Sequence, residues 1–247
     1  MIELNRIYNE DCLTAMTQID NNSIDMILCD LPYGTTQNKW DSIIPFDKLW
    51  EQYERIIKPN GAIVLTSQQP FTSALVMSNV KLFKYCWVWQ KSTPTNFLNA
   101  NFQPLKNHED ICVFSKGNAS WSGRSNRMNY NPQDIIEVNK INRRSSNGSN
   151  YMQSGKENIQ KFTNFPRTII SFDSDSARLH PTQKPVALFE YLIKTYTDEG
   201  DIVLDNCIGS GTTAIATIRT NRNFLGFETN KEYFDIANNR IKEETNT

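Results

Sequence analysis

An apolar run, MILCD, ends at Asp30 and continues into Leu31, Pro32 and Tyr33. An acid, a backbone carbonyl, a proline and an aromatic ring in four consecutive residues suit one task, holding a planar amine. Asp30 can accept one N–H of such an amine and the carbonyl of Leu31 the other. Pro32 fixes the backbone so that this carbonyl faces the site, and Tyr33 offers a ring for stacking. An exocyclic amine on a base is a weak nucleophile. Held in this way, its lone pair is freed to attack in a direct in-line displacement, with no covalent intermediate. Cys29 lies inside the apolar run and reads as core, without a nucleophilic role.

The stretch VLDNCIGSGTT, Val203 to Thr213, repeats the scheme with glycines. Gly209 and Gly211 permit a tight turn and close approach of a ligand to the backbone. Thr212 or Thr213 opens the next helix, with amides and hydroxyls directed at the site. A P-loop requires a lysine after the second glycine, and none follows. A dinucleotide fingerprint requires a third glycine, and Ala214 stands there. The remaining reading is a nucleoside without phosphates, S-adenosylmethionine. Glu228 supports it, because an acid ending the strand NFLGFE can accept hydrogen bonds from both ribose hydroxyls. Taken alone, the glycines also fit a turn that merely joins strand to helix, the lesser of the two readings.

These residues need a scaffold. DMILCD, the IVLTSQ run after Pro59-Asn60-Gly61, KYCWVWQK, DICVFSK, DIVLDN and NFLGFE read as strands. FDKLWEQYERIIK, PVALFEYLIKTYT, TTAIATIRT and NKEYFDIANNRIKEE carry helical periodicity, and Pro59-Asn60-Gly61 is expected to end the first of them. A long polar loop is expected from Ser92 to Glu109. Strands alternating with helices predict a mostly parallel, doubly wound α/β sheet. Ligands bind such sheets at the carboxyl ends of the strands, so Asp30 and Asp205 are expected on one rim.

At this point the chain resembles the amino-group DNA methyltransferases. Asp30, Pro32 and Tyr33 match their Asp-Pro-Pro-Tyr-type tetrapeptide, and Gly209 and Gly211 match their F-x-G-x-G-type loop. The tetrapeptide precedes the loop, which is the permuted order of the β group. The resemblance implies a Rossmann-like S-adenosylmethionine-dependent fold with an inserted target-recognition segment. It implies that Asp11, beside Cys12 in NRIYNEDCL, reaches the cofactor's adenine. It implies that HPTQKP, with His180, Thr182 and Lys184 at its polar positions, holds the methionine end. Asp205, Asn206, Ser210, Thr212 and Thr213 complete the expected cofactor loop. WVWQKS and HEDICVFSK resemble the paired strands behind the target pocket. Leu31 departs from the usual proline, which matters little where the backbone carbonyl does the work. Asn206-Cys207 replace the commoner Pro-Phe, which bears on how the adenine is packed.

The Asp form of the tetrapeptide is associated with adenine, which implies methylation of its 6-amino group in double-stranded DNA, with the 4-amino group of cytosine as the alternative. The target is buried in a duplex and has to be extruded. The whole chain, 247 residues at net charge −1, is no polycation. A local surplus of charge lies in residues 117–175, rich in Ser, Asn, Gly and Gln, where Arg124, Arg127, Lys140, Arg143, Arg144 and Lys156 outnumber the acids. This stretch is expected to be the target-recognition insert of a catalytic domain formed by 1–116 and 176–247. Further readings are a non-catalytic DNA-binding subunit, an RNA methyltransferase and a protein-amide methyltransferase. Intact Asp30, Tyr33, Gly209, Gly211 and Glu228 argue against the first, and the basic insert favours nucleic acid. A second copy of the chain and a cognate restriction endonuclease are possible partners.

Five scattered cysteines without a C-x-x-C pair, and only two histidines, argue against a zinc site and fit a reducing cytoplasm. The opening MIELNRIYNE does not read as a secretory leader. No apolar run approaches the ~20 residues of a membrane helix.

Overall fold

The computed structural model describes residues 2–34, 41–121, 125–143, 157–173 and 183–246. In chain order the elements are β1 (Arg6–Tyr8), α1 (Cys12–Met16), β2 (Ile24–Asp30), α2 (Phe46–Ile56), β3 (Ile57–Ser67) and α3 (Phe71–Ser78). There follow β4 (Phe83–Thr95), β5 (Lys106–Phe114), β6 (Ile136–Arg143), β7 (Glu157–Thr163) and β8 (Ile169–Phe172). The chain closes with α4 (Val186–Tyr196), β9 (Ile202–Asp205), α5 (Thr212–Arg219), β10 (Asn223–Phe227) and α6 (Lys231–Thr245). It divides into two units, Met1–Asn131 with Thr168–Thr247, and Pro132–Arg167.

The larger unit is built on one sheet of order β1-β10-β9-β2-β3-β5-β4-β8. Its neighbours are parallel except at β5, which is antiparallel to both β3 and β4. Strand side chains alternate between faces, and two cores follow. Ile27 and Cys29 of β2 and Ile63 and Leu65 of β3 pack with α1, α2 and α3. Met26 and Leu28, with Ala62 and Val64, pack with α4 and α5 on the opposite face. Both faces are therefore covered, which is why DMILCD reads as continuously apolar.

The direction of winding reverses between β9 and β2, which pair at Met26↔Val203 and Ile27↔Leu204. Asp205 and Asp30 end these adjacent strands on the same rim, where such sheets bind ligands.

Two local expectations change. Helix α2 stops at Ile56 and the chain passes directly into β3. Pro59-Asn60-Gly61 lies within that strand, in the irregular stretch where β2 and β3 shift register between Ile24/Met26 and Ile57/Ala62. The helix ends ahead of Lys58, which the following proline disfavours from α geometry. The expected loop Ser92–Glu109 is largely a hairpin, because β4 runs on to Thr95 and β5 starts at Lys106.

The smaller unit is an antiparallel pair, β6 with β7, in register from Ile136↔Thr163 to Arg143↔Glu157. Asn164 closes its base by donating to the carbonyl of Asp134 at 2.8 Å. Residues 117–131 and 168–173, read from sequence as part of the insert, group with the larger unit. No helix among the described residues is long and apolar enough to cross a membrane.

Candidate active site

Asp30 is the last residue of β2 and collects three donors. Its Oδ1 accepts from the Tyr33 hydroxyl at 2.7 Å and from the Thr66 hydroxyl. Its Oδ2 accepts from Lys184 Nζ at 2.6 Å. An ionised carboxylate offers about four lone-pair sites, so one acceptor position remains for an incoming amine. Thr66 sits opposite Asp30 in the β2–β3 register, with its Oγ1 3.1 Å from the Tyr33 hydroxyl. The Tyr33 ring packs on Phe71, with centroids 5.1 Å apart. Burial, and then the charges of Asp30 and Glu109, push the Tyr33 phenol far above its ordinary range. It therefore stays protonated and acts as a donor.

Behind Asp30 runs a buried chain of alternating charge. Lys184 lies 3.3 Å from Glu109 Oε2, and Lys91 pairs with Glu109 Oε1. Two acids and two lysines balance one another. Glu109 Oε2 is paired by charge, without the alignment of a hydrogen bond. Burial pulls the Lys184 ammonium down, but Asp30 and Glu109 outweigh it and hold its pKa above the usual value. Sequence reading missed Thr66, Lys91 and Glu109. The signal for Thr66 was its place at the carboxyl end of a strand beside β2.

The glycine loop leaves β9 through Asp205, whose buried carboxylate accepts from the Cys207 amide at 3.0 Å and from the Thr213 hydroxyl. Asp205 thus braces the two ends of the loop against each other. Asn206 is buried, accepts from the Tyr53 hydroxyl, and directs its amide at Cys12 and Cys207. Cys12 is buried at the start of α1. The Cys207 thiol, then burial, push its own thiol up. Burial raises the Cys29 thiol to about 12, which fits a core role.

Gly209 and Gly211 adopt positive φ, 53° and 86°. A Cβ on Gly211 would press on Ala237 at 3.0 Å, whereas one on Gly209 would meet only the Cys207 carbonyl at 3.9 Å. Space therefore remains above Gly209 for a ligand. Gly211 caps α5, which begins at Thr212 and Thr213. The Ser210 carbonyl is held by Arg240 at 2.6 Å.

Glu228 follows β10 and accepts from the amides of Gly209 at 2.9 Å and Asn230 at 2.7 Å. Burial raises its pKa. Asp11 follows β1 and caps α1 by accepting from the Thr14 amide at 3.0 Å. Asp11, Glu228 and the glycine loop thus share the rim of three neighbouring strands, beside Asp30 on the fourth. Acids flanking a glycine loop with open space suit the hydroxyls of a neutral ribose and a cationic ligand, which is the set of acceptors a nucleosidyl sulfonium would use.

Arg127 and Lys140 are exposed. Arg143 is described only as a backbone position in β6. His180, Thr182, Arg124, Arg144 and Lys156 lie outside the described residues.

Asp205 makes stability depend on pH. Burial lifts its pKa from 3.8 to about 6. A carboxyl raised in the folded state costs stability when ionised, so this cost is full above pH 6 and gone below about pH 4. Two units correspond to roughly 3 kcal/mol. The unfolding free energy of the parent minus that of Asp205→Asn should therefore rise as pH falls from 7 to 4. Urea unfolding across that range measures it, and a flat difference would refute it.

The family model described as DNA methylase, of the N6/N4 type, matches residues 24–239. The type II methyltransferase M.HpaI of Haemophilus parainfluenzae is 28% identical over 253 residues, covering 98% of this chain and 75% of that protein. Among solved structures, the M1.HpyAVI–SAM complex is 24% identical with a TM-score of 0.63, covering 95% of this chain and 98% of that one. The cytosine-N4-specific PvuII DNA methyltransferase is 14% identical with a TM-score of 0.67, covering 97% and 90%. These two structural likenesses carry the fold.

Proposed function

Because the chain belongs to the N6/N4 DNA methylase family, we propose that it methylates the 6-amino group of adenine in double-stranded DNA, with S-adenosylmethionine as donor. The observation that carries this reading is the Asp30 carboxylate, which ends the strand next to the glycine loop and is held by the Tyr33 and Thr66 hydroxyls. When bound, S-adenosylmethionine supplies an electrophilic methyl group on a sulfonium.

The residues of the chain do the rest. Asp30 takes one N–H of the extruded base at its remaining acceptor position, and the Leu31 carbonyl takes the other. The amine is then fixed with its lone pair directed away from both acceptors, toward the cofactor rim. Lys184 anchors Oδ2, and Tyr33 and Thr66 anchor Oδ1, so the carboxylate plane is set before the base arrives. Such preorganisation lowers the barrier because no reorientation is needed during reaction. The part-buried surroundings lower the local dielectric and strengthen each of these contacts.

Adenine is favoured over cytosine by the carboxylate form of the tetrapeptide. The fold does not discriminate, since a cytosine-N4-specific enzyme shares it. Single-molecule sequencing of DNA from cells expressing this chain gives the base and the motif together. 6-Methyladenine at one motif is expected, and 4-methylcytosine instead would overturn the choice of base.

Glu228 tests the cofactor side. Glu228→Ala removes a charge-assisted acceptor contributing about 1.5–3 kcal/mol, so affinity for S-adenosylmethionine should fall by roughly ten- to a hundredfold. Calorimetry giving unchanged affinity would remove Glu228 from the site.

A further inference from the structure

We propose that the tip of the β4–β5 hairpin is a wedge that enters the base stack of duplex DNA as the target base leaves it; this rests on the DNA methyltransferase reading above. Register places the hairpin. Asp30 lies opposite Thr66, Thr66 opposite Ile111, and Ile111 opposite Trp87. Strand β3 ends at Ser67, opposite Asp110 and hence Val88. Beyond that level β5 continues for four residues to Lys106, so the hairpin stands roughly 13 Å above the rim that carries Asp30. Its base is tied to the target pocket through Lys91, Glu109 and Lys184.

The tip is apolar where solvent normally demands polarity. Leu98 is 98% exposed, Phe102 86% and Phe97 61%. It is also ordered by its own backbone. The amides of Asn99 and Ala100 donate to the carbonyls of Asn96 and Phe97, both at 3.1 Å, and Phe102 and Gln103 donate to the Asn99 carbonyl at 2.9 and 3.0 Å. Three large apolar side chains held outward on a fixed turn mark an interaction surface. Charge permits a polyanionic partner: from Ser92 to His108 the hairpin carries Lys106 and no acid, while Lys91 at its base is taken up by Glu109. Apolar side chains inserted between base steps unstack and kink a duplex, and extrusion of the target requires that unstacking.

The test uses the full chain with S-adenosylmethionine and two duplexes carrying the motif found by sequencing. In one the target is paired, and in the other it faces an abasic site and extrudes easily. Leu98→Ala/Phe102→Ala changes only exposed side chains. Its loss of kcat/KM should be at least tenfold greater on the paired duplex than on the abasic-opposed one. Equal losses on both, or none on either, would overturn the wedge. So would a change of oligomeric state in sedimentation, which would assign the tip to a second copy of the chain. Wild-type protein that binds S-adenosylmethionine but leaves both duplexes unmethylated would overturn the parent reading, and the wedge with it.

Discussion

Asp30→Ala should lower methyl transfer by about a thousandfold or more. Removing one preorganised group of this kind costs on the order of 10²–10³ in rate, and Asp30 both orients the amine and, by accepting its N–H, leaves more electron density on the attacking nitrogen. The substitution also frees Lys184, whose side chain is only 7% exposed, from the nearer of its two acids. Breaking a buried pair costs about 3–5 kcal/mol when nothing else compensates. Glu109 still compensates, and the Asp30 side chain is 26% exposed, so a smaller loss is expected and the variant should remain folded. Asp30→Asn is the sharper companion. It keeps an accepting oxygen but sets an uncharged amide against Lys184. Single-turnover transfer from labelled S-adenosylmethionine, with thermal melting alongside, measures both effects. Near-normal turnover in Asp30→Ala would end the mechanism.

How much of this was legible in the sequence depends on how local each feature is. Asp30, Tyr33, Gly209, Gly211 and Glu228 announce themselves because each ends or follows a strand, and the winding of the sheet brings strand ends together. The charge chain did not show. Glu109 reaches Lys184 only through the pairing of β5 with β3 and the passage of residues 183–185 across the rim, contacts that no spacing encodes. Pro59-Asn60-Gly61 looked like a helix stop, yet the helix had ended before Lys58 and these residues form the irregular part of β3. Ser92–Glu109 looked like a polar loop because Ser, Thr and Asn dominate it, whereas cross-strand pairing from Trp89↔Glu109 to Thr95↔Lys106 makes it a hairpin. Helices α1 and α3, of 5 and 8 residues, are too short to show a period.

Lys184 decides between two roles. Its place in HPTQKP implies a hold on the methionine end of the cofactor, while the structure puts its ammonium 2.6 Å from Asp30 Oδ2 and 3.3 Å from Glu109 Oε2. Lys184→Met is nearly isosteric and leaves those two carboxylates without their shared cation. If the lysine serves the target pocket, kcat should fall by about a hundredfold, the scale of one oriented electrostatic contact, while cofactor Kd stays within about threefold, a difference of ~0.7 kcal/mol. Stability should drop by less than the cost of an unpaired buried charge, about 3–5 kcal/mol, because Glu109 keeps Lys91 and the partly exposed Asp30 keeps the Tyr33 and Thr66 hydroxyls. A second substitution, Glu109→Gln, then separates structure from chemistry. In the double variant one carboxylate is gone, so much of the lost stability should return as a coupling energy. The rate should not return, because Asp30 still lacks its anchor. Isothermal titration with S-adenosylmethionine, denaturant unfolding and single-turnover rates on the four proteins of the cycle provide the measurements. A tenfold or larger rise in cofactor Kd with kcat intact would place Lys184 on the cofactor instead, and its contact with Asp30 would then belong only to the form without ligand.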